Sequence, residues 1–367
     1  MTAAAQPRVF AMIAAGGTGG HVYPGIAVAD ALVLLGHPTD TVRFVTESRS
    51  VTTTAISSAG YSYDVLALER GLQRRFSLEN VMVVVQFLRS LVQSMQLLRR
   101  HRPEVVVGFG AYITLPLIVA ARVSRLPVLV HEQNGFPGLA NRIAVRLGAT
   151  AAVSIAGTPL DRASLTGNPV RPEIAAVVRC PDIPPMVAFV GGSLGAAVLD
   201  AAALDLYDRW RNRDDVAIHH VSGLRSFASC EQRLAILQRE GDRLAYQLVA
   251  YEHDMASVYT RATLMITRSG GSIAELAAVA MPSILVPWSG AAEHHQHTNA
   301  SMFRSIGAAV VVEEPECTGA HLAKVIDEIV ADPERQCTMS AAALAMAHPD
   351  AAAHVARLCE AIAKPQR

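Results

Sequence analysis

His21 follows the run Gly16-Gly17-Thr18-Gly19-Gly20, which itself follows the apolar stretch Val9–Ala15. Glycines after a buried strand let the backbone approach a ligand closely, and a helix starting there offers N–H groups to an anion. A histidine at such a helix start is favoured as the neutral imidazole, which can accept a proton. The run is neither a Gly-Lys-Ser/Thr phosphate loop nor a GxGxxG turn, which weakens NTPase and dehydrogenase readings. Gly108-Phe109-Gly110-Ala111-Tyr112 and His131-Glu132-Gln133-Asn134-Gly135 each follow a short valine-rich run in the same half. The second half carries Arg268-Ser269-Gly270-Gly271-Ser272, then Glu275, then Glu293-His294-His295-Gln296-His297. The glycines suit a diphosphate, and a carboxylate one helical turn on suits a ribose diol. Taken singly, Glu275 reads as a solvated helix charge and the histidines as a polar loop. The histidines lack i, i+4 spacing, and no Asp-x-Asp occurs, so no metal and no cofactor is expected.

The elements that must position these groups alternate. Val9–Ala15, Val42–Val45, Val105–Val107, Val128–Val130, Met186–Val190, Ile218–Val221, Leu264–Ile266, Ile284–Val286 and Ala308–Val312 read as strands buried on both faces. Helix-length segments lie between them, among them Pro24–Leu35, Leu78–Arg100 and Ile273–Ala280. The strand–glycine–helix signature recurs about half the chain later at Met186–Val190 and Gly191-Gly192-Ser193-Leu194-Gly195. Two similar doubly wound α/β domains are therefore expected, 1–166 and 167–347, with 348–367 as a closing helix capped by Asp350. Ligands collect at the carboxyl ends of such strands.

Composition narrows the classes. The chain has 367 residues, 51% hydrophobic and 17% charged, with 32 basic against 32 acidic side chains. That excludes general disorder, and zero net charge argues against nucleic acid as a partner. Five scattered cysteines without a CxxC fit a reducing compartment. No signal peptide is evident, and Gln86, Arg89, Gln93 and Gln96 break the nearest candidate span, Asn80–Leu98. Arg70, Arg74, Arg75, Phe76, Leu78, Phe87 and Leu88, with Arg99, Arg100 and Arg102, suggest contact with an anionic surface. Val83–Leu98 alone reads as an ordinary amphipathic helix packed on the sheet.

Gly17–Gly25, His131–Asn134, Gly167–Arg171, Gly191–Ser193 and Arg268–Asn299, in this order, resemble the MurG family of N-acetylglucosaminyltransferases. The resemblance implies a GT-B fold, two Rossmann-like domains with a deep interdomain cleft. It implies metal-independent, inverting transfer of GlcNAc from UDP-GlcNAc to the MurNAc 4-hydroxyl of lipid I, giving lipid II. The site would be the cytoplasmic face of the plasma membrane, with other cell-wall synthesis proteins as further partners. By matching motifs, Thr18, Gly19, Gly20, Asn134, Arg171 and Ser193 would meet the donor. Gly270, Gly271, Ser272, Ile273, Ala274 and Glu275 would frame its nucleotide, with Glu252 at the uracil and His295 and Gln296 on the sugar. Tyr112 and Gln133 would lie near the acceptor. His21 is the expected general base and Glu132 its rival. Ala111 stands where the family has glycine. A related transferase for another lipid or natural-product acceptor is the alternative, followed by a UDP-GlcNAc 2-epimerase and a non-catalytic scaffold.

Overall fold

The computed structural model describes residues 8–17, 19–48, 50–68, 78–192, 195–291 and 295–363, with 50, 51 and 78–81 described by their backbone. Thr18, Arg70, Arg74, Arg75, Phe76, Ser193, Glu293 and His294 lie outside these residues. Two compact units result: Met1–Arg171 with His348–Arg367, and Pro172–Ala347. Gly167–Arg171 thus belong to the first unit, and the crossing falls at Arg171/Pro172.

The first unit holds β1 (Ala11–Ala14), β2 (Val42–Thr46), β3 (Ser62–Val65), β4 (Val105–Gly108), β5 (Val128–Glu132), β6 (Thr150–Val153) and β7 (Ser164–Leu165). They form one sheet in the order β3-β2-β1-β4-β5-β6-β7. Every pairing is parallel. Side chains of β1 alternate between two cores. Ala11 and Ile13 pack with Val22, Ile26 and Ala29 of helix Gly19–Leu34 and with Val355, Ala356 and Cys359 of helix Ala351–Ile362. Met12 and Ala14 pack with Leu117, Ile118 and Ala121 of helix Thr114–Val123 on the other face. Gly25 permits the close approach of the first helix: an added Cβ would already touch Ala15 and Phe44 at 3.4 Å. Asp350 occupies the N-cap of the closing helix, but its side chain makes no cap hydrogen bond.

The second unit holds β8 (Met186–Val190), β9 (Ala217–Val221), β10 (Ala245–Val249), β11 (Ala262–Thr267), β12 (Ser283–Leu285) and β13 (Ala309–Val311). Their order is β10-β9-β8-β11-β12-β13, again all parallel. In both sheets the strand order reverses, between β1 and β4 and between β8 and β11. Those are the switch points at whose carboxyl ends open sheets bind ligands.

Helix Leu78–His101 presents two faces. Ser90, Ser94 and Leu98 face inward at 4% exposure or less, whereas Met82, Val85, Leu88 and Val92 are 38% to 59% exposed. Leu91, Met95, Leu97 and Leu98 of the same helix pack into the core with helix Thr114–Val123, so the helix is packed through one apolar face and leaves a second one exposed. Among the described residues, no helix is long and apolar enough to cross a membrane.

Ala111 has φ of 61° at the turn after β4. Left-handed backbone costs an alanine roughly 1–2 kcal/mol, part of which a glycine gives back as unfolded-chain entropy. Ala111→Gly is expected to stabilise the protein by about 1 kcal/mol, raising Tm by about 2–4 °C in a thermal melt.

Candidate active site

In the first unit, three loops at the β1/β4/β5 carboxyl ends converge on His21. Gly17 (φ 85°) and Gly110 (φ 84°) turn the β1 and β4 loops, and an added Cβ on Gly110 would stand 3.4 Å from the His21 ring. The imidazole is half-buried, with Nδ1 3.1 Å from Oε1 of Gln133. Gln133 is itself buried and donates through Nε2 to the Phe109 carbonyl at 3.0 Å. It braces His21 through the Oε1 contact. Tyr112, at the tip of the β4 loop, is 43% exposed.

Glu132 is 3% exposed. Its carboxylate accepts from Asn134 N and Nδ2, both at 3.1 Å, from Gly138 N at 3.0 Å and from Asn141 Nδ2 at 2.8 Å. Four donors occupy the lone pairs that a general base would need, so the geometry makes it the organiser of its loop. Asn134 is held by this carboxylate. Arg171 lies in the same unit, its guanidinium stacked 4.2 Å over the Tyr23 ring, a cation–π contact that orients the fork.

Sequence reasoning missed Glu47. It sits just past β2, 4% exposed, and accepts from the Gly17 amide at 2.7 Å and from Thr52 Oγ1 at 3.3 Å. It pins the glycine turn that leads into His21. The signal for it was slight: a lone carboxylate at the end of a strand neighbouring β1.

In the second unit, the loop after β11 and the segment after β12 are laced together. Asn299 Nδ2 donates to the Ser269 carbonyl at 2.9 Å, and Ser269 Oγ donates to that of Gln296 at 2.7 Å. Gln296 Oε1 accepts from the Trp288 amide at 2.9 Å. Gly270 stays within 3.9 Å of Gln296 Nε2, measured from an added Cβ. His295 opens helix His295–Ser305 beside Gln296. Ser272, Ala274 and Glu275 line one short helix, Ser272–Ala278, with Ile273 buried beneath; Gly271 is its N-cap. Glu275 Oε2 accepts from Tyr259 OH at 2.8 Å, which orients the carboxylate. Glu252, between β10 and β11, accepts from the Asp254 amide at 2.9 Å and lies 3.2 Å from buried His219 Nε2. Among the described residues no three His, Cys, Asp or Glu side chains gather as a metal-ligand group.

Glu314, also missed, ties this region to the strand after it. It forms an ion pair with Arg268 at 2.7 Å and accepts from the amide and hydroxyl of Ser289. Burial pushes its pKa up, but the Ser289 bonds and Arg268 outweigh that and hold it below the ordinary value.

Two doubly wound parallel units, each with glycine turns at its switch point, are the architecture of the GT-B fold. The models for the glycosyltransferase family 28 N-terminal and C-terminal domains match residues 11–153 and 186–355. A UDP-N-acetylglucosamine–N-acetylmuramyl-(pentapeptide) pyrophosphoryl-undecaprenol N-acetylglucosamine transferase from Desulforudis audaxviator is 35% identical over 96% of this chain and 98% of its own length. The protein of that name from Alkalilimnicola ehrlichii is 35% identical over 95% and 97%. The crystal structure of Acinetobacter baumannii MurG superposes with a TM-score of 0.73 at 24% identity, over 97% of this chain and all of that one. The chain belongs to this transferase family, the MurG family.

Because Glu314 is held below its unfolded value in the folded state, its contribution is complete above an ordinary pKa of 4.5 and is lost as pH falls through the folded value. Glu314→Gln is expected to lower Tm at neutral pH and to flatten the acid side of the Tm–pH curve. Thermal melts across that range check this, and curves parallel to wild type would contradict it.

Proposed function

We propose that the protein transfers GlcNAc from UDP-GlcNAc to the MurNAc 4-hydroxyl of lipid I, with inversion, giving lipid II. The observation that carries this reading is the near full-length match to transferases of that name. The site chemistry supports it residue by residue. In the second unit, Gly270–Ala274 are proposed to frame the nucleotide, Glu275 to accept from the ribose diol, Glu252 to lie at the base, and His295 and Gln296 to hold the sugar hydroxyls. In the first unit, Gly19, Gly20, Asn134 and Arg171 are proposed to meet the donor's sugar and phosphates, and Tyr112 the acceptor. Thr18 and Ser193 complete the donor set.

His21 is proposed as the general base. An alcohol is a poor nucleophile at neutral pH, so its proton must leave as the bond to the anomeric carbon forms. The leaving group is UDP, which needs no protonation. Glu132 is the weaker candidate, because its carboxylate is already engaged by four donors.

The exposed stripe Met82, Val85, Leu88 and Val92 supports membrane contact at the cytoplasmic face, where a polyprenyl-linked acceptor is presented. The last turn of that helix is basic, with Arg99 and Arg100. Each arginine near an anionic surface adds about 1 kcal/mol, so several hold a protein reversibly.

Incubation with UDP-GlcNAc and a soluble lipid I analogue is expected to yield the GlcNAc–MurNAc disaccharide by mass spectrometry. No product with this acceptor, but turnover with another lipid or natural product, would move the reading to a related transferase. General bases contribute about 10²–10⁴-fold, so His21→Ala should lower kcat by that range while leaving UDP affinity nearly unchanged. Collapse of UDP binding along with turnover would assign His21 a bracing role instead. Separately, Leu88→Glu with Val92→Glu should weaken sedimentation with anionic phospholipid vesicles at low salt, and unchanged binding would remove the membrane contact.

A further inference from the structure

We infer that Gln133 and His131 fix the tautomer of His21, placing its proton on Nδ1 and its basic lone pair on Nε2. The inference rests on the proposed role of His21 as base and concerns what makes that role possible.

The assignment follows from which atoms can only accept. The backbone oxygens of Phe109 and His131 lie 3.0 and 3.3 Å from one end of the Gln133 amide. Carbonyls do not donate, so that end is the NH2 group and the opposite end is Oε1. Oε1 stands 3.1 Å from His21 Nδ1. An amide oxygen also only accepts, so the hydrogen in this contact belongs to Nδ1. A neutral imidazole carries one N–H, and its lone pair is then on Nε2.

His131 closes the arrangement from behind. It is fully buried, and its Nε2 is 2.9 Å from the Gly167 carbonyl, which makes Nε2 its donor. Its Nδ1 is left as an acceptor, 3.3 Å from Gln133 Nε2. Burial lowers the His131 pKa to about 4, with the Gly167 bond opposing and the neighbouring His21 assisting. His131 therefore stays neutral near pH 7, and its Nδ1 goes on accepting from the amide. Flipping Gln133 would set its oxygen against the carbonyl oxygens of Phe109 and His131 and the lone pair of His131 Nδ1, the acceptors that now share its two amide hydrogens. Three contacts would be lost together. The chain Gly167–His131–Gln133–His21 thus admits one arrangement of neutral rings. His131 and Gln133 are positioning residues, because neither ring nor amide need touch a substrate.

Long-range proton–nitrogen NMR on nitrogen-15 histidine-labelled protein reads the tautomers directly. The wild type near pH 7 is expected to show neutral His21 protonated at Nδ1 and His131 protonated at Nε2. In Gln133→Leu, His21 should become a mixture of tautomers. With the productive form still partly populated, kcat should fall about 10–100-fold, within the roughly 10⁴-fold that a wrong tautomer can cost a histidine base. KM for UDP-GlcNAc should stay within about twofold. A wild-type His21 protonated at Nε2 would overturn the inference, as would a Gln133→Leu protein with unchanged tautomer and kcat. The wild-type spectrum decides even if a variant does not fold. The expected spectrum in a protein that transfers no GlcNAc would uphold the tautomer assignment and overturn the catalytic reading instead.

Discussion

Reversal of strand order is the constraint on which the rest depends. β1 has β2 on one side and β4 on the other, and β8 has β9 and β11. The connections leave in opposite directions at those points, so the loops diverge and a crevice opens at the strand ends. Among the described residues of the first unit, Gly19, Gly20, His21, Tyr112, Gln133 and Asn134 belong to the loops or helix starts following β1, β4 or β5, and Glu132 ends β5. The second unit repeats the device with the β8 and β11 turns. Close-packed helices hold the strands in place: Gly25 lets the first helix approach β1, and the closing helix buries Val355, Ala356 and Cys359 on the same core.

A crevice built this way brings polar backbone ends close to a dry core, and the structure answers with carboxylates used as acceptors. Glu47 takes the Gly17 amide, Glu132 takes four donors of its own loop, and Glu314 takes Ser289 and Arg268. Burying a carboxylate costs several kcal/mol. Hydrogen bonds to a charged group return about 1.5–3 kcal/mol each, so four of them at Glu132 are enough to offset the cost. The gain is geometric. The glycine turn before His21 and the loop carrying Asn134 are each held in one geometry. Acidity near the crevice thus serves architecture.

The strands buried on both faces were legible because continuous apolar runs of valine, isoleucine and leucine admit little else. β3, β10, β6 and β7 were not. Ser62–Val65 and Ala245–Val249 are partly exposed edge strands with no continuous apolar run, and Thr150–Val153 is alanine-rich. Ser164–Leu165 is two exposed residues. Site residues in glycine-rich turns were legible for the same reason that turns are: glycine marks close approach. That Gln133 is buried against His21 was not legible, since side-chain direction cannot be read from a loop sequence. Glu47 and Glu314 escaped because a single carboxylate in a loop looks like any solvated charge until its donors are known. The apolar stripe of helix Leu78–His101 has the period of a packed helix. Only the structure separates its packed face, with Leu91, Met95 and Leu98, from the exposed one, with Met82, Val85, Leu88 and Val92.

The proposed transfer is a single displacement at the anomeric carbon, assisted by one base and with no covalent sugar–enzyme intermediate. The anomeric proton coupling of the disaccharide, read by NMR on product made from α-linked UDP-GlcNAc, tests it most directly. One displacement with His21 taking the acceptor proton predicts a β-linked product. An α-linked product would require retention, a second nucleophile and a different use of these loops, and would contradict the account.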